Sequence, residues 1–151
     1  MQRSDELAPL SREHHVALEV ALRLRRATVA DADAARAAFL AFFEDEARPH
    51  FRAEEELVLP AFERHAASDD PDVVRVLDDH AEIRRRAEQL AARNGDLQDL
   101  HALGDLLNAH VRHEERTLFP RIEAALDADE LAALGTALIA AEGGAHRPPR
   151  C

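Results

Sequence analysis

Two stretches of the chain carry residue types that can do chemistry, at a repeated spacing. HFRAEEELVLP runs from His50 to Pro60, and HVRHEERTLFP runs from His110 to Pro120. The second repeats the first, with His110 for His50, Glu114 for Glu54, Glu115 for Glu55 and Pro120 for Pro60. A histidine and a glutamate four residues apart lie on one helix face, one turn from each other. Imidazole nitrogen and carboxylate oxygen together suit a divalent cation such as iron, manganese or zinc.

The neighbouring residues put both pairs into apolar rows. Phe39, Phe43, His50, Glu54, Leu57, Val58 and Ala61 form one row, and Leu103, Leu107, His110, Glu114, Leu118 and Ile122 form another. Val73, Leu77, His80, Ile83, Ala87 and Leu90 make a third, and Leu10, His14, Ala17, Ala21 and Leu24 a fourth. Each row sends one histidine inward. Rotating the first row by one position would select His15, with Leu18 and Leu22 as companions; His14 is preferred because its row has the pattern of His80's. A carboxylate buried without a partner is costly, by roughly several kcal/mol even after relaxation. The chain has no lysine, and Arg84 and Arg112 fall at helix flanks, so a bound cation is the economical counter-charge for Glu54 and Glu114. Two facing His–Glu pairs leave room for two metals bridged by those carboxylates.

Such rows need long helices, and the punctuation of the chain supplies them. Helices are expected over 10–27, 31–66, 71–93 and 96–126, with a short fifth over 129–141. Pro49 and Pro60 should kink the second. Asp70 can cap the third with Pro71 in its first turn, and Asn94-Gly95 ends it. The expected fold is all-α: an antiparallel up-and-down four-helix bundle closed by a short C-terminal helix. One domain over 1–142 and a flexible tail over 143–151, GGAHRPPRC, account for the length of 151 residues.

Composition narrows the function. Thirty acidic against 19 basic residues give a net charge of −11, which repels phosphate backbones and anionic lipid headgroups, so no nucleic acid or membrane partner is expected. The one cysteine, Cys151, allows no internal disulfide, and neither a signal-like stretch nor a spanning segment is evident. A cytoplasmic, reducing location is the expectation.

With Glu13-His14, HFRAEE at His50 to Glu55, Asp79-His80 and HVRHEE at His110 to Glu115, the chain resembles the hemerythrin-like family with its HHE cation-binding domain, over roughly residues 10 to 126. The resemblance implies a four-helix bundle holding two non-haem iron ions. His14, His50, His80 and His110 would be terminal ligands, Glu54 and Glu114 bridging or bidentate ones, and dioxygen or another small diatomic the partner, for carriage, sensing or detoxification. One departure stands out. Oxygen carriers of the family have two histidines a turn apart on the third helix, whereas here Arg84 follows His80 by four and Val76 precedes it by four. The missing ligand favours redox chemistry or sensing over reversible storage, and keeps open an iron-dependent oxidase or peroxidase-like enzyme.

Other readings have less support. Ferritin-like Glu-x-x-His pairs are absent, and HEERT at His113 to Thr117 lacks the second histidine of a zinc peptidase. An acidic helical interaction module without metal is the remaining alternative. His65, His101 and His146 are expected at the surface or terminus, and His113 beside the site. Glu55 and Glu115 are expected to support ligands or to be solvated, and the six phenylalanines to fill the core. No catalytic residue is assigned.

Overall fold

Three prolines decide the shape of the long helices. In an ordinary α-helix the ring of Pro60 would clash with the carbonyl four residues back and leave it without a donor. The chain relieves this by widening the preceding turn, so that the N–H of Leu59 reaches back five residues to the Glu54 carbonyl. The same device precedes Pro120, where Phe119 reaches Glu114, and Pro49, where Arg48 reaches Phe43. The expected kinks are therefore π turns inside continuous helices.

The computed structural model describes residues 2–145. Five helices and no strand occur among the described residues. Helix α1 is Ala8–Arg25. Helix α2 covers 32–63, as Ala32–Phe42, a π turn at Phe43–Ala47, Arg48–Ala53, a second π turn at Glu54–Val58, and Leu59–Glu63. Helix α3 is Pro71–Ala91. Helix α4 covers 97–125, as Leu97–His113, a π turn at Glu114–Leu118, and Phe119–Ala125. Helix α5 is Ala128–Ala145.

Local chemistry sets the boundaries. The Asp70 side chain accepts from the Asp72 N–H and Pro71 opens α3. Asp96 and Asp99 form a reciprocal capping box at the start of α4. Between α3 and α4 the chain turns through Arg93, at φ 57°, and through Gly95, at φ 122°, a conformation that glycine accepts without strain.

The helices pack as a bundle whose core is split in two. One apolar cluster includes Ala21, Leu24, Phe39, Phe43, Ile83, Leu103 and Leu107. The other includes Leu10, Val58, Phe62, Val76, Leu118, Phe119 and Ile122. The buried polar residues of all four long helices fall between them in sequence and in space, forming a polar layer across the bundle. At Gly104 a side chain would meet the Ala21 carbonyl and Arg25, so α1 and α4 approach closely there.

Three expectations need correction. Leu77, placed on an inward row, is about two-fifths exposed, because Val76 fills that core position instead. The fifth helix is not short: at 18 residues it equals α1, since Leu134 and Leu138 bury against the second cluster and carry it on to Ala145. Residues 143–145 of the expected tail are therefore helical, while 146–151, with His146, lie outside the described residues. No helix among the described residues is long and apolar enough to cross a membrane.

Candidate metal centre

The polar layer is built from six side chains that are almost wholly buried: His14 of α1, His50 and Glu54 of α2, His80 of α3, and His110 and Glu114 of α4. They form two overlapping groups. His14, His50, Glu54 and Glu114 offer ligand atoms within 4.8 Å of one another, and so do Glu54, His80, His110 and Glu114. Both carboxylates belong to both groups. Glu54 and Glu114 each begin a π turn, so the turn that accommodates the proline also starts at the shared carboxylate.

The four imidazoles point the same way. Each directs Nε2 inward and uses Nδ1 to donate to a carboxylate on a neighbouring helix. His14 donates to Glu115 at 2.6 Å, His50 to Glu13, His80 to Glu55 at 2.8 Å and His110 to Asp79 at 3.3 Å. These bonds close a ring: α1 supports the histidine of α2, α2 that of α3, α3 that of α4, and α4 that of α1. A carboxylate behind a ligating imidazole fixes its tautomer and raises its basicity. Two arginines back this ring. Arg84 forks onto Glu55 at 2.8 and 2.9 Å, and Arg3 holds Glu115 at 2.9 Å, where Ser11 also donates. Phe51 stacks on the His80 ring at a centroid distance of 3.9 Å.

The inward atoms lack partners of their own. Glu54 Oε1, both oxygens of Glu114, His80 Nε2 and His110 Nε2 are buried without a hydrogen bond. Glu114 Oε2 does lie 2.9 Å from His14 Nε2, but without the alignment of a hydrogen bond. His14 Nε2 and His50 Nε2 face each other at 3.1 Å. With both Nδ1 atoms protonated, that pair requires a cation or a further proton between them. Two groups of two nitrogens and two carboxylate oxygens, orphaned and preoriented, fit a pair of borderline divalent cations.

Protons show the same demand. Burial lowers the affinity of His80 for a proton, but the Glu54 carboxylate 3.6 Å from its Nε2 and the hydrogen bond to Glu55 outweigh it and raise its pKa to about 9. Burial opposes charge at His50 and His14 as well; Glu54 with Glu13, and Glu114 with Glu115, nevertheless raise both, His50 strongly. Burial pushes Glu54 up, and His50 and His80 bring it well below the usual carboxylate range. The His80 hydrogen bond, with help from Arg84, holds Glu55 at about 2. Glu115 also sits at about 2, where His14, Ser11 and Arg3 overcome burial.

Of the two first-helix candidates, His14 points into the layer and His15 is exposed. His113 is buried beside the site and bonds Asp72 at 2.8 Å. His65 is half-exposed against Glu130, and His101 bonds the Ala27 carbonyl. Glu13 and Asp79 were not assigned a role from the sequence. Their signal was present, since each immediately precedes an inward histidine, yet each supports the histidine of the next helix. Arg3 gave no signal at all.

A helical bundle with paired histidines and shared carboxylates between its helices defines a cation-binding bundle protein. The sequence profile described as the Hemerythrin HHE cation binding domain matches residues 6–122, and the chain belongs to that family. No match was found among curated proteins or among solved structures.

Proposed function

We propose that the chain is a non-haem di-iron protein that binds or reacts with dioxygen or another small diatomic. His14, His50, His80 and His110 are its terminal ligands and Glu54 and Glu114 its bridges, in an antiparallel up-and-down bundle over 1–142 working in the cytoplasm. The observation that carries this reading is the sharing of Glu54 and Glu114 by two four-donor groups. Iron there would supply a redox-active Lewis acid. The chain's own part is to hold four imidazoles by Nδ1, keep the layer dry between two apolar clusters, and supply only four donors to each metal. A metal held by four protein donors would leave room for an exogenous ligand, which also supports the second reading, an oxidase or peroxide-consuming enzyme.

The test is an anaerobic ferrous titration of metal-free protein, with optical spectra before air, after air and after deoxygenation. About two irons per chain and a reversible charge-transfer band are expected of a carrier or sensor, while irreversible oxidation selects the enzyme. A chain that takes no metal, or a Glu54→Ala, Glu114→Ala variant that takes as much, refutes the centre.

A further inference from the structure

Two of the four imidazoles are held by more than a carboxylate. Behind His80, Glu55 accepts from Nδ1 and takes the fork of Arg84. Phe51 touches both ends of that set, stacked on His80 and 5.6 Å from the Arg84 guanidinium. His14 has the same set. Glu115 accepts from its Nδ1 at 2.6 Å and from Arg3 at 2.9 Å, and Phe119 lies 5.2 Å from the Arg3 guanidinium and stacks on His14 at 5.3 Å. Glu55 and Glu115 hold the same place in the repeated motif, and each four-donor group contains one of the two clamped histidines.

The arginines differ in what carries them. Arg84 stands inside α3, a helix of 21 residues. Arg3 stands before α1, in a segment outside the helices. It donates to Glu123, to the Glu115 carbonyl at 2.7 Å and to Ser11 at 3.3 Å, and Ser11 donates in turn to Glu115. The Ser4 N–H also donates to Glu123, and Leu7 is wholly buried in the second apolar cluster. A short segment held mainly by side chains opens at a lower free energy than a central helix. The support of His80 is therefore built into the bundle, whereas that of His14 exists only while residues 2–7 are docked.

We propose that Arg3 is a positioning residue for His14, the counterpart of Arg84, and that residues 2–7 are a strap whose docking and cation binding at the His14 group stabilise each other. This rests on the reading of the six residues as a metal centre. The coupling is reciprocal: the factor by which the docked strap tightens the metal is the factor by which the metal tightens the strap.

Nitrogen-15 NMR of metal-free protein tests the positioning without any metal. Arg3→Ala should shift the His14 Nδ1 signal and leave that of His80 in place, and Arg3→Lys, which keeps the charge but not the fork, should restore it in part. By chelator competition, Arg3→Ala should weaken one of two zinc equivalents about tenfold. Glu123→Gln, which touches neither Glu115 nor His14, should weaken the same equivalent less. In the unaltered protein zinc should slow exchange of the Ser4 amide by the factor that Arg3→Ala costs, about tenfold. An unmoved His14 signal, or Ser4 exchange indifferent to zinc, overturns the strap while the metal centre stands. A chain that takes no zinc overturns the centre and the coupling with it, while a shifted His14 signal would still place Arg3 behind that imidazole.

Discussion

Metal uptake should release protons, and His80 sets the least amount. Its Nδ1 already donates to Glu55, so the proton held with a pKa of about 9 occupies the Nε2 position a metal needs. At pH 7 about 99 in 100 metal-free molecules carry it. From His80 alone, apparent affinity should rise almost tenfold between pH 7 and 8 and more slowly towards 9, about fiftyfold or ~2.3 kcal/mol between 7 and 9. The raised pKa values of His14 and His50 act in the same direction. Stability of the metal-free protein has the opposite sign. A pKa raised from 6.5 to about 9 contributes stability that is complete below 6.5 and lost as pH climbs through 9, about 3 kcal/mol at full extent. Glu55 and Glu115, held at about 2 rather than 4.5, contribute above 4.5 and lose this as pH falls through 2. Metal-free stability should therefore peak between 4.5 and 6.5, while metal affinity is highest near 9. The assay is calorimetric titration with manganese, in two buffers of different ionisation enthalpy, at pH 7 and at pH 9. More than one proton released per chain at pH 7 and fewer at pH 9 are expected. Affinity that stays flat between those values would refute the assignment of Nε2 as the metal-facing atom.

Supporting residues should show graded effects. Glu55→Gln removes the negative charge behind His80 and opposite Arg84, and metal affinity measured by chelator competition should fall about 10–100-fold with the fold intact by circular dichroism. Replacing Pro60 and Pro120 together with alanine restores two N–H donors and lets both π turns relax. Metal affinity should drop about tenfold or more while the metal-free Tm moves by only a few degrees; a double variant that binds metal normally would separate the prolines from the site. Gly104→Ala places a methyl group within 2.8 Å of the Ala21 carbonyl and closer still to Arg25, so it should cost about 2 kcal/mol, read as a Tm loss of about 4–8 °C by calorimetry.

The helices and the inward histidines were legible because their signals are local. A period of three and four across Phe39, Phe43, His50 and Glu54 needs no knowledge of the partner helix, and Asp70-Pro71 marks its own boundary. Two kinds of feature were not legible. The π turns shift the register by one residue at Phe43, Glu54 and Glu114, and sequence shows only the proline that follows. The acceptors of Nδ1 lie across the bundle: Glu13 sits beside His14 in the chain but serves His50, and Asp79 sits beside His80 but serves His110. Adjacent residues on a helix point about 100° apart, so the carboxylate next to a ligand in sequence faces the neighbouring helix. The length of α5 escaped for a simpler reason, since its last turns are mostly alanine and glycine and carry no periodic signal.

The substitution of arginine for a second third-helix histidine makes sense as charge. Four imidazoles are surrounded by six carboxylates, Glu13, Glu54, Glu55, Asp79, Glu114 and Glu115. Arg84 and Arg3 offset two of them through Glu55 and Glu115. Four negative charges remain in and around a layer closed off by two apolar clusters, where unbalanced charge is expensive. Two divalent cations match that number, and without them protons on His14, His50 and His80 meet most of the same demand. A neutral fifth imidazole at position 84 would have removed one of the two offsetting cations. Arg84 thus trades a ligand for balance, and Arg84→Gln should make the site more negative and hold its protons to higher pH. The midpoint of the pH-dependent metal affinity should then move upward; a midpoint that stays in place would show that Arg84 acts only by packing against Phe51.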